Sequence, residues 1–482
     1  MNNLQEGKVK MTNYRWVITT MLFFATAINY LDRQVLSLTW SDFIAPEFHW
    51  TNNDYGTITG LFSIFYAVAL LFAGKFIDWL DTKRGYLWSI GIWSFGAVLH
   101  AFCGIATAGI VAGEWTLSFE GALNAIAAVS DVSKVVTVSV SLFVFARLIL
   151  AVGEAGNFPA AIKATAEYFP KKDRAFSTSI FNSGATIGAL LAPVTIPFIA
   201  KAWGWEMAFL VIGALGFLWM GVWVFVYEKP EKNKRVNPAE LMYILQDDNE
   251  EGAETQKDTG KKASFKQAFR HKQTWAFAVG KFMTDGVWWF LLFWVPAYLS
   301  AVYGLDSTEA APHIFLVYLI TMLSIIGGWL PTYFVDKKKM NPYAGRMKAM
   351  LIFAFFPLLV LFAQPLGHVS VWLPVVIIGI AGAAHQAWSA NIFSTVGDMF
   401  PKYAVATITG IGGMAGGVGS FLINKGSGML FDYSIETNLK FLGFEGINAG
   451  YFIIFCICAF AYLIGWVIMK ALVPRYELIK EM

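Results

Sequence analysis

The sequence predicts an all-α membrane protein: twelve transmembrane helices in two pseudo-symmetric six-helix bundles, with both termini cytoplasmic. Three observations carry that expectation. Of 482 residues, 57% are hydrophobic and 14% charged, whereas soluble domains carry about 25% charged residues. Apolar runs near the roughly 20 residues needed to cross a bilayer recur twelve times. They lie at about 14–37, 55–79, 86–110, 138–162, 176–200, 207–227, 274–302, 312–335, 347–364, 369–396, 403–428 and 448–472. Between the sixth and seventh runs a polar stretch, 228–273, divides the chain into bundles 1–227 and 274–482. It holds one short amphipathic piece, "PAELMYIL".

Orientation follows from the basic residues, which concentrate on the cytoplasmic side of a membrane. With termini and linker inside, only Lys134, Lys201, Lys425 and Lys440 fall in external loops. The two bundles also repeat each other. "EYFPKKDRAFSTSIFNSGATIGALLAP" follows the fourth span and "DMFPKYAVATITGIGGMAGGVGSFLIN" the tenth. Pro170 and Gly188 are 18 residues apart, as are Pro401 and Gly419. Transporters are commonly built from such repeats, and glycines on these helices permit close helix packing. The segment 111–136 breaks the pattern, as a small external helix or a flexible insertion.

Composition also excludes. A formal charge of +3, with no basic stripe among exposed aromatics, gives nucleic acid no footing. Cys103, Cys456 and Cys458 lie in apolar runs without motif spacing, which suits packing and neither a disulfide framework nor a metal site. The first apolar run is followed by no small-residue cleavage site, so it is expected to stay as a helix. No zinc spacing, nucleophile elbow or phosphate loop occurs, and no cofactor is expected.

Polar residues at membrane depth then mark the functional positions, because a charge at mid-membrane costs roughly 2.5–3.5 kcal/mol on insertion scales. The first span carries Asp32 and Arg33. After the second, "GKFIDWLDTKRG" puts Gly74, Asp78, Lys83 and Arg84 in a tight loop, read either as a solvated basic turn or as a latch between the bundles. The fourth span holds Arg147 and Glu154, seven residues apart on one helix face and roughly 10 Å from each other. Glu154 suits a proton-exchanging group; a purely structural ion network is the alternative. In the seventh span Lys281 and Asp285 stand at i and i+4, where they can neutralise each other. Trp288 and Trp289 follow, too deep for interfacial anchors and suited to stacking on a sugar ring. The tenth span clusters His385, Gln386, Ser389 and Asn391, more than a packed core histidine requires.

"NYLDR", "RLILAVGEAGNFP", "GKFMTDGVWWFLLFWVPAYL" and "AGAAHQAWSAN" resemble the anion:cation symporter branch of the major facilitator superfamily, and within it bacterial hexuronate transporters. The resemblance runs nearly end to end, and the loop after the second span matches the superfamily's signature. It implies coupling and carboxylate binding at Asp32 and Arg33, a proton-linked Glu154 beside Arg147, and sugar contact at Tyr66. Relatives that carry aldonates place a Gln in the fifth helix, where this chain has Ala185. That departure weakens an aldonate assignment and leaves Asn182 as the expected polar contact.

The expectation is therefore a proton-coupled importer of glucuronate or galacturonate, a monomer in a bacterial inner membrane. Its partners would be the sugar-acid anion, protons and the lipid bilayer. The rivals are another sugar acid (aldonate or aldarate), sodium coupling, a transporter-like sensor, and a membrane-embedded enzyme. On this expectation Arg33, Arg147, Glu154 and Lys281 meet in one chamber between the bundles.

Overall fold

A computed structural model describes residues 11–246 and 264–479. The N-terminal half comprises α1 (Tyr14–Thr39), α2 (Asn52–Leu80), α3 (Thr82–Ala101), α4 (Cys103–Val111), α5 (Phe119–Ala127), α6 (Val132–Glu154), α7 (Asn157–Tyr168), α8 (Lys171–Trp203) and α9 (Trp205–Val226). The linker contributes α10 (Pro238–Ile244). The C-terminal half follows with α11 (Lys272–Tyr303), α12 (Ser307–Thr321), α13 (Ile326–Asp336), α14 (Pro342–Phe355), α15 (Trp372–Met399), α16 (Lys402–Glu436) and α17 (Ile447–Leu472). Ten helical spans among the described residues are long and apolar enough to cross a membrane, and α3 with α4, bent by 50°, makes an eleventh. The more polar α1, 26 residues long, has the length of a span and carries Asp32 and Arg33.

Local chemistry sets where these helices start and stop. Thr51 and Asp54 form a reciprocal capping box at the head of α2, satisfying donors that a helix terminus leaves free. Asp81, at φ 71°, ends α2 and accepts from Arg84 N at 3.1 Å to open α3. Pro170 and Pro401, the matched prolines of the sequence repeat, stand directly before α8 and α16. Their register carries into packing. A Cβ on Gly188 would sit 2.3 Å from the carbonyl oxygen of Ala27 on α1, and one on Gly419 would sit 2.1 Å from that of Phe282 on α11. Equivalent glycines thus bring equivalent helices into backbone contact, α8 on α1 and α16 on α11.

The amphipathic piece in the linker is α10, and it is pinned to the N-terminal half. Helix α1 has no side-chain cap of its own. Glu240 supplies one from 225 residues away, accepting from Tyr14 N at 2.9 Å and Arg15 N at 3.0 Å. It also takes the Thr12 hydroxyl and the Arg15 guanidinium, the latter at 3.1 Å. Burial pushes the Glu240 carboxyl up, but these donors outweigh it and hold its pKa below the usual glutamate value. The segment 111–136 contains α5, packed through Ala122, Ala125 and Ile126.

The two ends of the bundle differ. At the end opposite the linker the halves are joined by hydrogen bonds: Tyr55 donates to the carbonyl of Phe293 at 2.8 Å, and Asp42 accepts from Ser307 N at 2.6 Å. Toward the linker end α2 carries exposed Phe72 and Trp79. The signature-loop residues pair within the N-terminal half, Asp78 with Lys163 at 2.9 Å and Lys83 with Glu228 at 3.1 Å. The expected latch between bundles is therefore not formed by this loop. Arg84 starts α3 through its backbone N. A Cβ on Gly74 would meet nothing within 4 Å, so no neighbouring helix uses that glycine.

Candidate functional site

A cavity of about 240 Å³ lies between the halves. Helices α1 and α2 contribute Arg33 and Tyr66; α11 contributes Lys281, Asp285, Trp288 and Trp289. From α15 come His385, Gln386 and Ser389. These sequence-predicted residues do share one chamber.

The two cations of the wall are held differently. Arg33 turns Nε and Nη2 onto one oxygen, Oε2 of Glu154, at 2.9 and 2.6 Å. Its guanidinium carbon also lies 4.7 Å from the ring centre of Tyr66, 5.2 Å from Trp289 and 5.0 Å from Tyr30. Stacked guanidinium faces of this kind gain from the ring quadrupole. Lys281 pairs with Asp285 one turn further along the same helix, at 2.7 Å, and its ammonium lies 4.2 Å from the ring centre of Phe393. His385 stacks on Trp288 with ring centres 5.3 Å apart and planes at 7°. Its Nδ1 is 2.7 Å from the hydroxyl of Tyr462, which fixes the ring against the cavity wall.

Behind Arg33 lies a second, buried layer. Glu154, Asp32 and Arg147 are at most 1% exposed and do not line the cavity. Both Asp32 carboxylate oxygens, Oε1 of Glu154 and all three Arg147 nitrogens are buried without a hydrogen-bond partner. The Arg147 guanidinium instead faces the Phe62 ring at 5.2 Å. Buried polar groups are normally satisfied; here Asp32 and the Arg147 guanidinium make no hydrogen bond, and Glu154 uses one of its two oxygens. The expectation of one shared chamber is corrected accordingly. Arg33 and Lys281 face the cavity, whereas Glu154 reaches it only through Arg33, and Arg147 does not reach it.

Two other expectations fail for reasons of helical phase. Asn182 is exposed and does not line the cavity. Gly184 and Gly188 turn their face of α8 onto α1, and two residues rotate a side chain by about 200°, so Asn182 points the other way. Asn391 is buried and donates to the carbonyls of Gly327 at 2.9 Å and Ala387 at 2.8 Å. It joins helices rather than facing the cavity. Two polar lining residues escaped the sequence reading, Tyr30 and Ser63. Each stands three residues before one that was found, Arg33 and Tyr66. The i, i+3 relation that places such pairs on one face was the available signal.

A helical membrane bundle with a charged, aromatic-walled cavity between its halves is the architecture of a solute transporter. The Major Facilitator Superfamily model matches residues 22–423, and the chain belongs to that family. It is 29% identical over 428 residues to the hexuronate transporter of Escherichia coli strain K12, covering 88% of this chain and 89% of that protein. A galacturonate transporter of Dickeya chrysanthemi is 28% identical, covering 70% and 87%. A probable galactarate/D-glucarate transporter of Escherichia coli strain K12 is 23% identical, covering 92% and 95%. Among solved structures, a bacterial homologue of the human lysosomal transporter Spinster aligns with TM-score 0.66 and 18% identity over 95% of this chain and 97% of that one. A D-xylose–proton symporter aligns with TM-score 0.59 and 17% identity over 94% and 96%. The fold is that of these transporters. The chain is a multi-pass membrane transporter and not an enzyme.

Proposed function

We propose that the chain imports hexuronates, glucuronate or galacturonate, by proton symport through alternating access across a bacterial inner membrane. In this reading α1 completes a set of twelve spans, and the linker end is cytoplasmic. The observation that carries the proposal is Arg33 in the cavity wall, held by a carboxylate from another helix. A guanidinium fork suits a substrate carboxylate, and one oxygen of Glu154 already occupies two of its donors. Substrate anion and Glu154 compete for one cation. Protonation of Glu154 frees Arg33 for the substrate, and departure of the substrate lets Arg33 reclaim the ionised carboxylate.

Asp32 and Arg147, buried and unpartnered beside that pair, set the charge of the layer in which the proton is held. Tyr66, Trp288 and Trp289 supply flat faces for a sugar ring, and His385, Gln386 and Ser389 supply hydroxyl contacts. Lys281 is a second positive group, neutralised by Asp285 while the site is empty. The names of the relatives favour sugar acids as a class, with aldarates as the second substrate reading and sodium as the second coupling ion.

Purified protein in proteoliposomes given labelled glucuronate under an imposed pH or sodium gradient tests this. Accumulation driven by the proton gradient is expected. Accumulation with sodium alone overturns the coupling, and transport of galactarate without glucuronate overturns the substrate.

A further inference from the structure

In this structure the signature loop makes no pair with the C-terminal half, and the halves are joined at the opposite end. At the opposite end, Asp432 near the end of α16 reaches the first turn of α2 in the other half. Its oxygens accept from Asn52 N at 3.0 Å, Asn53 N at 2.8 Å and Asn52 Nδ2 at 2.9 Å. The capping box of Thr51 and Asp54 does not take the Asn52 and Asn53 amides, so the α2 terminus is completed only when the halves meet. A carboxylate there also faces the positive end of the helix dipole. Two turns earlier on α16, Lys425 donates to Asn53 Oδ1 and, at 2.6 Å, to Thr57 Oγ1. The backbones touch between these points. A Cβ on Gly56 would lie 2.7 Å from the carbonyl oxygen of Asn424, and one on Gly428 would lie 2.4 Å from that of Asn52.

The sequence repeat supplies a counterpart. Asp432 stands 31 residues after Pro401, and Lys201 stands 31 residues after Pro170. Lys201, at the end of α8, reaches the first turn of α12 across the same seam, meeting Asp306 at 3.2 Å and Thr308 Oγ1 at 3.1 Å. Matched positions of opposite charge thus each clasp a helix head in the other half. They differ in shielding. The side chains of Lys201 and Asp306 are 60% and 46% exposed, where an ion pair contributes little, whereas Asp432 and Lys425 are half-buried.

We propose that Asp432, with Lys425 beside it, is the outer latch of the transport cycle, and that its release from the head of α2 is the step that opens the cavity to the outside. This rests on the reading that the chain alternates access with its linker end cytoplasmic. A latch made only when the outer ends of the halves meet biases the equilibrium toward the form closed to the outside by what it contributes to that form. Its loss therefore favours the outward-open form, raising apparent affinity for external substrate while slowing turnover, because the return step then lacks its driving contact.

The test uses a Ser63→Cys reporter in the cavity and a membrane-impermeant maleimide added outside right-side-out vesicles, with the rate of the unsubstituted chain subtracted. Asp432→Ala and, independently, Lys425→Met are expected to speed labelling on the order of tenfold. Asp432→Glu restores protection, and Lys201→Ala changes the rate less than twofold. In transport, KM and kcat of Asp432→Ala fall together. Labelling rates within about twofold of the parent for both Asp432→Ala and Lys425→Met, in protein with unchanged melting temperature, would overturn the latch. The labelling needs no sugar acid, so a failure of glucuronate uptake refutes the substrate and leaves this result standing.

Discussion

The two cations of the cavity wall, Arg33 and Lys281, are held by ion pairs of opposite construction. Arg33 and Glu154 come from α1 and α6, 121 residues apart, whereas Lys281 and Asp285 are one turn apart on α11. An i, i+4 pair travels with its helix and survives any rigid-body rocking of the halves. A pair between helices depends on where each helix stands and on what else competes for the cation. The difference in burial compounds this: Glu154 is wholly buried with one oxygen unpartnered, while the Asp285 side chain keeps 15% of its surface. Breaking a buried pair costs about 3–5 kcal/mol when one charge is left alone; Lys281 and Asp285, 6% and 15% exposed, are shielded as well, but a single helix keeps them together. In the proposed mechanism the first pair is the one that opens and closes through the cycle, and the second sets local charge.

Substitutions should divide along that line. The largest effect is expected from Arg33→Ala, which removes the substrate's fork and leaves Glu154 alone in a buried layer. Glucuronate binding, followed by calorimetry, should weaken by about a hundredfold or more, since a hydrogen bond to a charged group contributes about 1.5–3 kcal/mol and the fork makes two. Lys281→Ala should be milder, about tenfold in affinity with the proton dependence of uptake intact. Asp285→Asn frees the lysine and should tighten binding of the anion severalfold in the same assay. A Lys281→Ala variant as damaging as Arg33→Ala would erase the distinction between the pairs.

The smallest effect concerns the far end of α1, where Glu240 caps the helix that carries Arg33. Its pKa is lowered in the fold, so its contribution is present above the carboxylate's unfolded value and is lost as pH falls through the folded one. Thermal melting should show Glu240→Gln about 1–2 kcal/mol less stable at neutral pH. The gap from the parent should close as the solution is acidified toward pH 3. A gap that is constant with pH would mean that the cap's charge does not matter.

What was legible in the sequence follows the range of the signal. Spans are local runs of apolar residues, and the Phe-Pro-Lys repeat marks the matched starts of α8 and α16 and glycines suited to close packing, while their partners, α1 and α11, are seen only in the fold. Arg33, Lys281 and Asp285 were legible because charge at membrane depth is costly and kept for use. Asn182 and Asn391 are polar at the same depth, but their side of the helix depends on where the neighbouring helices pack, and a single residue's type does not carry that phase. Arg147 and Glu154 were found as a pair on one face, yet the layer dividing them from the cavity is made by Arg33, another helix's side chain. The trans caps, Glu240 on α1 and Asp432 on α2, join residues 226 and 380 positions apart. No local pattern marks such partners.

The competition between Glu154 and substrate for Arg33 is tested most directly by Glu154→Gln, comparing exchange with accumulation in the same proteoliposomes. A glutamine keeps the size of the side chain and a hydrogen bond to the guanidinium but neither gains nor loses a proton. Labelled glucuronate should equilibrate with unlabelled glucuronate across the membrane at a rate near the parent's, while an imposed pH gradient should produce no uphill uptake. Full gradient-driven accumulation by Glu154→Gln would contradict the account.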